Sequence, residues 1–192
     1  MTDAARPYIV GLGGTIRPGS SSERALVKAL DVAEASGART DLFGGAFLAG
    51  LPIYNPHDPH AGPEQMRFLE AISAADGVIV SSPGYHGSLS GVVKNALDTL
   101  EGLRDDARPY FDGRAVGCIV SAGGAQASGS TLAAMRSIIH ALRGWPTPFG
   151  ATLGASGLFN DAGEFVDPRD GWQVETVAQQ VVDFAKHWGS HR

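Results

Sequence analysis

Hydroxyl groups and one arginine follow the first apolar run of the sequence, in a pattern that favours binding of a phosphate. A short apolar run opens at Tyr8, the chain breaks at glycines, and a helix is expected to begin near Ser22. The free N–H groups and the positive end of such a helix attract an anion. Arg17 adds a planar fork of N–H donors inside the loop. The hydroxyl donors are Thr15, Ser20, Ser21 and Ser22. We therefore interpret the stretch as a site for a terminal monophosphate; the alternative is a serine-capped helix after an ordinary turn, which does not need Arg17.

Two common phosphate-binding motifs do not fit this stretch. A P-loop needs a Gly-Lys pair before its Ser or Thr, and no lysine occurs before Lys28. Gly11-Leu-Gly13 begins like a dinucleotide fingerprint, but Ile16 stands where the third small residue belongs. The inserted hydroxyls and Pro18 would also hinder the close backbone approach that a pyrophosphate needs.

Residues 83–88 offer a wall for a flat heteroaromatic ligand. Pro83 fixes the chain direction, and Gly84 and Gly87 allow close backbone approach. Tyr85 and His86 offer ring faces or a polar tip. The alternatives are a packed surface aromatic at Tyr85 and a general acid or base at His86, although a structural or stacking role fits His86 better.

Residues 122–129 form a third glycine-rich stretch, whose chemistry would come from backbone amides. Amides directed at the pyrimidine edge of a flavin would stabilise negative charge on the reduced ring. The other reactive side chains give weaker signals. His57, Asp58 and His60 suggest metal ligands, but Pro59 rules out helical spacing and no second cluster supports them, so we interpret them as a polar surface loop. Cys118 lies in an apolar run and is interpreted as buried.

Strand and helix patterns alternate along the chain and indicate an α/β fold. A parallel sheet with helices on both faces is the architecture that such alternation predicts. A first strand is expected to open at Tyr8; the further expected strands are 40–43, 76–82, 114–121 and 146–153, and the expected helices are 23–36, 63–75, 89–100, 130–142 and 172–188. Ligands in such sheets lie beyond the carboxyl ends of the strands, where the strand order reverses. Residues 15–22, 83–88 and 122–129 all follow strands, so we expect them to form one site. The connection 44–62 is long enough to be functional or to pack on a partner.

Composition limits the class of protein. The 192 residues suffice for one compact domain, 1–192, with a proper core. A net charge of −5 argues against a nucleic acid as the main partner. No apolar run is long enough to span a membrane, the first six residues lack a signal-peptide core, and the single cysteine allows no internal disulfide. We expect no membrane association and a cytoplasmic location.

Two stretches resemble the signatures of the NADPH-dependent FMN reductase family. Residues 14–22, Gly-Thr-Ile-Arg-Pro-Gly-Ser-Ser-Ser, resemble its phosphate loop, Gly-Ser-x-Arg, two residues, Ser, one residue and Asn. Residues 81–98 resemble its second signature, in which Pro-x-Tyr-Asn precedes a helix with Gly-x-x-Lys-Asn-Ala-Leu-Asp. Thr15 and Ser22 keep polar groups where Ser and Asn are usual, whereas Gly84 and His86 replace Glu and Asn, and Thr99 stands where Trp often follows.

The resemblance implies a flavodoxin-like three-layer sandwich, with a five-stranded parallel sheet in the order 2-1-3-4-5, that binds FMN. It implies that the phosphate is held by Thr15, Arg17, Ser20 and Ser22. It implies that the isoalloxazine is lined by Pro83, Gly84, Tyr85, His86, Gly87 and Ser88 and closed on its other side by Ser121, Gly123 and Gly124. It implies no separate catalytic side chain and no metal, because the flavin carries the chemistry. It also implies a homodimer or homotetramer.

The implied function is an oxidoreductase in which NADPH or NADH passes a hydride to flavin N5 and electrons go on to a small-molecule acceptor. That acceptor would be a flavin, a quinone, an azo compound or chromate. The alternatives are a flavodoxin-type electron carrier, which the mild acidic excess of 20 acidic over 15 basic residues does not favour, and a non-catalytic flavin-binding regulatory protein. Arg67, Arg104 and Arg143 are candidates for contact with a 2′-phosphate by charge alone.

Overall fold

A computed structural model describes residues 6–57 and 62–189. The strands are β1 (Tyr8–Gly13), β2 (Arg39–Phe43), β3 (Gly77–Pro83), β4 (Ala115–Ala122), β5 (Trp145–Pro146) and β6 (Ala151–Gly154). The helices are α1 (Ser21–Ala35), α2 (Gly45–Gly50), α3 (Pro63–Ala74), α4 (Gly91–Thr99), α5 (Ala125–Ala141) and α6 (Pro168–Gly189), and a 3-10 turn, Leu100–Leu103, follows α4.

The sheet is parallel throughout, and its order is β2-β1-β3-β4-β5, with β6 also paired to β4. This confirms the predicted flavodoxin-like order, in which the direction of strand addition reverses beside β1. Strand β1 pairs with β2 on one side and β3 on the other, so the loops after β1 and β3 leave the sheet side by side.

Alternate residues of the central strands supply two separate hydrophobic cores. Val10 and Val80 belong to the core beneath α2, α3, α4 and α5. Ile9 and Ile79 belong to the core beneath α1 and α6. On this second face a side chain at Gly117 would put its Cβ 2.6 Å from a methyl group of Val177, so the glycine allows α6 to approach the sheet. Burial on both faces explains why β1, β3 and β4 are continuous apolar runs rather than alternating ones.

The expected fifth strand, 146–153, is wrong as a single element. It divides into β5 and β6, which pair with β4 at Ala115–Val116 and at Ile119–Ala122. Pro148 lies between the two and has no N–H to offer the ladder. The amide of Phe149 instead donates to Oε1 of Gln180, at 3.0 Å.

The starts of two helices and the presence of a third also differ from expectation. The stretch 122–129 was expected to be a loop, but α5 already begins at Ala125, and the Ser128 amide donates to the Gly124 carbonyl at 3.0 Å. The connection 44–62 contains the short helix α2. Helix α6 begins at Pro168 rather than at residue 172, because Pro suits a first helical turn and the Asp167 carboxylate accepts from the Arg169 amide at 2.9 Å.

Candidate functional site

A cleft of about 680 Å³ opens at the carboxyl ends of β1, β3 and β4. Three connections border it, those after β1, β3 and β4, and all three were expected to meet there. Its lining comprises Thr15, Ile16, Arg17, Ser20, Ser21, Ser22, Pro83, Gly84, Tyr85, Ser90, Gly91, Val92, Ser121, Ala122, Gly123 and Ala155. Among these residues there is no Asp, Glu, His, Lys or Cys. The cleft is therefore built to bind and orient rather than to exchange protons through carboxylates or imidazoles.

Hydroxyl groups and helix amides form one end of the cleft. Ser20 caps α1, and its Oγ accepts from the Glu23 amide at 3.3 Å. The Oγ of the wholly buried Ser22 lies 3.3 Å from that of Ser20, so each hydroxyl orients the other. The Thr15 Oγ1 accepts from the Arg17 amide at 3.0 Å, which folds the loop into a tight turn. The amides of the first helical turn have no intrahelical acceptor and face this end.

Arg17 stands at the open side of this end. Its side chain is exposed and has no hydrogen bond, ion pair or ring contact with any residue of 6–57 or 62–189. A guanidinium without an internal partner keeps all of its N–H donors for a ligand or for water. Arg17 and the hydroxyls bring hydrogen-bond donors and one positive charge together at this end of the cleft, which we call the anion-binding end after its expected ligand.

Buried serines tie the connections after β1 and β3 together beneath the cleft. The Ser81 hydroxyl donates to the Ser22 carbonyl at 2.7 Å, and the Ser81 carbonyl accepts from the Gly14 amide at 3.0 Å. The Ser90 amide donates to the Ser82 hydroxyl at 2.9 Å, and the Ser90 hydroxyl reaches the Gly14 carbonyl at 3.4 Å. Because these hydrogen bonds are shielded from water, they fix the loops relative to one another.

The wall after β3 is held by a tight turn. The amides of Tyr85 and Ser88 each donate to the other residue's carbonyl, at 2.8 and 3.0 Å. His86 and Gly87 between them have φ values of 53° and 82°, which is a type I′ turn. Tyr85 lines the cleft and is 53% exposed. His86, Gly87 and Ser88 were expected at the cleft but do not line it, since the turn directs the chain outward.

Close packing explains the glycine at position 84. A Cβ there would lie 2.9 Å from the Ala122 methyl group and 2.9 Å from the Thr131 hydroxyl. The Gly84 amide donates to the Ser121 carbonyl at 2.8 Å, which joins the second loop to the third. Glutamate, which is common here in the resembled signature, would not fit without displacement of α5.

The loop between β4 and α5 is short. Ser121, Ala122 and Gly123 line the cleft, whereas Gly124 caps α5 and borders a neighbouring hollow of about 370 Å³ on the other side of the loop. This places the expected Gly124 beside the cleft rather than in it.

Sequence reasoning omitted several lining residues. Ser90 was missed because its role is structural: it caps α4 through a 3.4 Å contact with the Val93 amide and brings Gly91 and Val92 to the cleft. The serine before a helical apolar run was a usable signal. Ala155 reaches the cleft directly after strand β6, and its carbonyl accepts from the Ser21 hydroxyl at 2.9 Å.

The remaining reactive groups lie away from the cleft. Cys118 is buried as expected, and burial raises the pKa of its thiol to about 12. Of the suggested metal ligands, Asp58 and His60 lie outside the described residues. Within residues 6–57 and 62–189, no group of three or more His, Cys, Asp or Glu side chains is arranged to hold a metal ion. In the same ranges, no helix has the length and hydropathy needed to cross a bilayer.

Comparisons with known proteins agree with this geometry. The family model of NADPH-dependent FMN reductases matches residues 7–156. An NAD(P)H-dependent FMN reductase of Pseudomonas aeruginosa is 36% identical over 92 residues, which are 47% of this chain and 48% of that protein. An FMN-dependent NADPH-azoreductase of Staphylococcus aureus is 40% identical over 121 residues, 62% of this chain and 61% of that protein. The matches therefore span about half to three fifths of each relative's length.

A solved structure shares the fold over almost its whole length. The flavoenzyme NAD(P)H:(acceptor) oxidoreductase FerB of Paracoccus denitrificans superposes with a TM-score of 0.76 at 19% identity, covering 94% of this chain and 98% of that one. A flavodoxin from the domain Archaea superposes with a TM-score of 0.65 at 7% identity, covering 94% and 99%. At these identities the likeness concerns the fold alone.

Proposed function

This chain belongs to the NADPH-dependent FMN reductase family, and from that premise we propose that it binds FMN in the cleft and acts as an NAD(P)H-dependent oxidoreductase. The observation that carries the proposal is the composition of the cleft. It joins an anion-binding end to an apolar wall and lacks acidic, imidazole, amine and thiol side chains in its lining. Such a cleft suits a bound redox cofactor and offers no group for hydrolysis by an acid–base pair.

The residues present fit FMN. The cleft volume of about 680 Å³ lies within the range of small-molecule sites. Thr15, Arg17, Ser20 and Ser22 would hold the phosphate, with the first-turn amides of α1. Pro83, Gly84 and Tyr85 would line the ring system on one side, and Ser121 and Gly123 on the other. The chemistry that bound FMN supplies is the acceptance of a hydride from NADPH or NADH and the transfer of electrons to a second substrate.

The protein's own residues would bind and orient the flavin and limit the access of water to it. We propose that His86, Gly87 and Ser88 support the wall by holding Tyr85, and that Gly124 shapes the loop whose Gly123 amide faces the ligand. Val92 and Ala155 add apolar contact area. No side chain is assigned to proton transfer, so protons would come from water.

The acceptor is proposed to be a small molecule: a flavin, a quinone, an azo compound or chromate. The azoreductase of Staphylococcus aureus supports the azo class, because 40% identity extends over 121 residues. An electron carrier of the flavodoxin type is the second candidate, which the flavodoxin-like fold allows. Turnover with NADPH separates the two.

We also propose a homodimer or homotetramer in the cytoplasm. Ile16, Tyr85 and Ile53 are 71%, 53% and 82% exposed, the first two of them at the cleft, and a second subunit would remove such apolar area from water. A single buried free cysteine suits a reducing compartment. Light scattering that gives a monomer at micromolar concentration would contradict the assembly.

The test is the visible spectrum of the protein with FMN, before and after anaerobic addition of NADPH. Loss of the flavin bands would support an NADPH-dependent flavoprotein. Bound flavin that neither NADPH nor NADH reduces would favour the electron carrier or the regulatory protein. Absence of bound flavin would refute the assignment of the cleft.

A further inference from the structure

A smaller pocket of about 260 Å³ lies on the outer flank of α1, beside the anion-binding end of the cleft. We call it the flank pocket; Arg24, Lys28, Phe159, Gly163 and Gly19 line it, with Glu23 and Val27. Gly19 immediately precedes Ser20, which lines the main cleft. The two cavities thus meet at the same turn of the chain.

Arg24 is held in a fixed position at this pocket. Its guanidinium carbon lies 4.1 Å from the centre of the Phe159 ring, and its Nη2 lies 3.6 Å from where a Cβ at Gly163 would be. Phe159 belongs to a small hairpin closed by its bridge to Phe165 and by the Asn160 amide, which donates to the Glu164 carbonyl at 2.9 Å. A half-buried guanidinium oriented in this way loses little further entropy when it binds an anion.

Lys28 adds a second cation one helical turn further on. Arg24 and Lys28 are half-buried, and neither forms an ion pair with a carboxylate of residues 6–57 or 62–189. Glu23 lines the pocket too, but its Oε2 is buried, 3.1 Å from where a Cβ at Gly14 would lie, and therefore points into the loop. The pocket thus combines two cations and one carboxylate, which is directed into the loop, with an aromatic floor, and this matches a phosphate carried on an organic group.

The position of the flank pocket relates it to a ligand already in the main cleft. The rise of an α-helix puts Arg24 about 6 Å and Lys28 about 12 Å along the axis from the cap at Ser20. A pyridine nucleotide carries its nicotinamide at one end and, in NADPH, a phosphate on the adenosine ribose at the other. A nucleotide with its nicotinamide in the cleft could reach the flank pocket with its adenosine end.

We propose that the flank pocket binds the adenosine 2′-phosphate of NADPH and makes the protein prefer NADPH over NADH. This inference rests on the proposed oxidoreductase function. Arg24 and Lys28 donate to the phosphate, and Phe159 acts as a positioning residue for Arg24. The other candidates for contact with the 2′-phosphate were suggested by charge alone and fit this role less well; they are Arg67, Arg104 and Arg143. Arg67 and Arg104 are exposed and lie 3.6 and 3.3 Å from the carboxylates of Glu64 and Glu101, and Arg143 lies over the Tyr110 ring.

The test is calorimetric titration of the protein with 2′,5′-ADP, 5′-AMP and inorganic phosphate. We expect 2′,5′-ADP to bind the unmodified protein at least about tenfold more tightly than 5′-AMP, the contribution of a charge-assisted contact. K28Q and R24Q/K28Q should lose that preference. The Lys28 side chain forms no hydrogen bond or ion pair with the residues that the structure describes, so K28Q keeps the test valid if R24Q disturbs the hairpin. R67Q/R104Q removes the same charge elsewhere and should keep the preference. The ratio of kcat/KM for NADPH to that for NADH should fall with the same variants.

Three results would overturn the proposal: equal affinity for 2′,5′-ADP and 5′-AMP, a preference that survives in R24Q/K28Q, or displacement of 2′,5′-ADP by equimolar inorganic phosphate, which would mean an unselective anion site. The titration requires no turnover. Failure of flavin reduction by both nucleotides would therefore refute the proposed function separately, whatever the titration gives.

Discussion

Replacement of Arg17 by Ala should weaken the binding of FMN without weakening the fold. The Arg17 side chain is exposed and has no partner among the residues that the structure describes, so its removal breaks no internal contact. Its place in the turn that Thr15 closes puts it beside the hydroxyls of the anion-binding end. The free energy of unfolding of the flavin-free protein should therefore change by less than about 0.5 kcal/mol.

The size of the effect follows from the kind of contact and its exposure. A hydrogen bond to a charged group contributes about 1.5–3 kcal/mol, and solvent exposure favours the lower part of that range. A loss of about 1.5–2 kcal/mol raises the dissociation constant of FMN about 10- to 30-fold. Because the charge is exposed, the loss should shrink as ionic strength rises.

Fluorescence titration with FMN and with riboflavin measures this loss. Riboflavin has no phosphate, so Arg17→Ala should leave its dissociation constant unchanged. Arg17→Lys keeps a point charge but not the fork, and should lose less than the alanine variant. Arg104→Ala, which removes one exposed arginine far along the chain, is the control for net charge. An unchanged FMN affinity, or an equal loss for riboflavin, would refute the assignment of the phosphate to this end.

Three further predictions concern stability. His86→Asn should raise the free energy of unfolding by roughly 0.5–1 kcal/mol, because Asn tolerates the φ of 53° better than His. The variant should still oxidise NADPH. A loss of activity would mean that His86 acts as a general acid or base. Arg114→Ala should cost at least about 3 kcal/mol in urea unfolding, because the buried guanidinium donates to the carbonyls of Ser73, Ala75 and Tyr110; a loss below about 1 kcal/mol would contradict this. Burial raises the pKa of the Cys118 thiol from 9.0 to about 12. The contribution of this thiol to the free energy of unfolding is therefore constant below pH 9.0 and falls as the pH rises toward about 12. The loss of stability between about pH 8 and about pH 10 should be smaller in Cys118→Ala than in the unmodified protein, and equal losses would contradict it.

The central strands were predictable because few structures other than a buried strand are compatible with their short apolar runs. The expected strands 76–82 and 114–121 lie within one residue of β3 and β4. The start of α5 was not predictable in the same way, because Gly123, Gly124 and Gly129 together suggest a loop. A glycine inside a helix costs about 1 kcal/mol relative to alanine. Burial of Met135 and Ile139 on the same helix outweighs that cost, and the sequence neighbours of Gly129 do not reveal it.

The anion-binding end was predictable from residue types, but what fixes it in place was not. Ser20 and Arg17 are recognisable because a cap and a fork of donors have local chemical signatures. Ser81, Ser82 and Ser90 appear in the sequence only as polar residues at the end of a strand and before a helix. The bonds from Ser81 and Ser90 to the first loop span 59 and 76 residues of sequence and follow only from the strand order, whereas the bond between Ser90 and Ser82 spans 8 residues within one connection. Sequence thus indicated the groups that would touch a ligand and missed those that hold them.

The proposed anion sites lie where the local charge differs from the net charge of the whole chain. The chain carries a net charge of −5, yet residues 14–30 contain three basic side chains and one acidic one. Exposed charges further away than about 8–10 Å are screened at physiological ionic strength, so the local excess decides what binds beside α1. Arg17 lies in the loop before α1 and lines the cleft, and Arg24 and Lys28 lie on α1 and line the flank pocket. A ligand with a single phosphate needs only the first of these groups, and only a ligand with a second, distant phosphate uses the rest. With the cleft and the flank pocket assigned as proposed, the positions of these basic groups favour a phosphorylated dinucleotide as the co-substrate over its unphosphorylated counterpart.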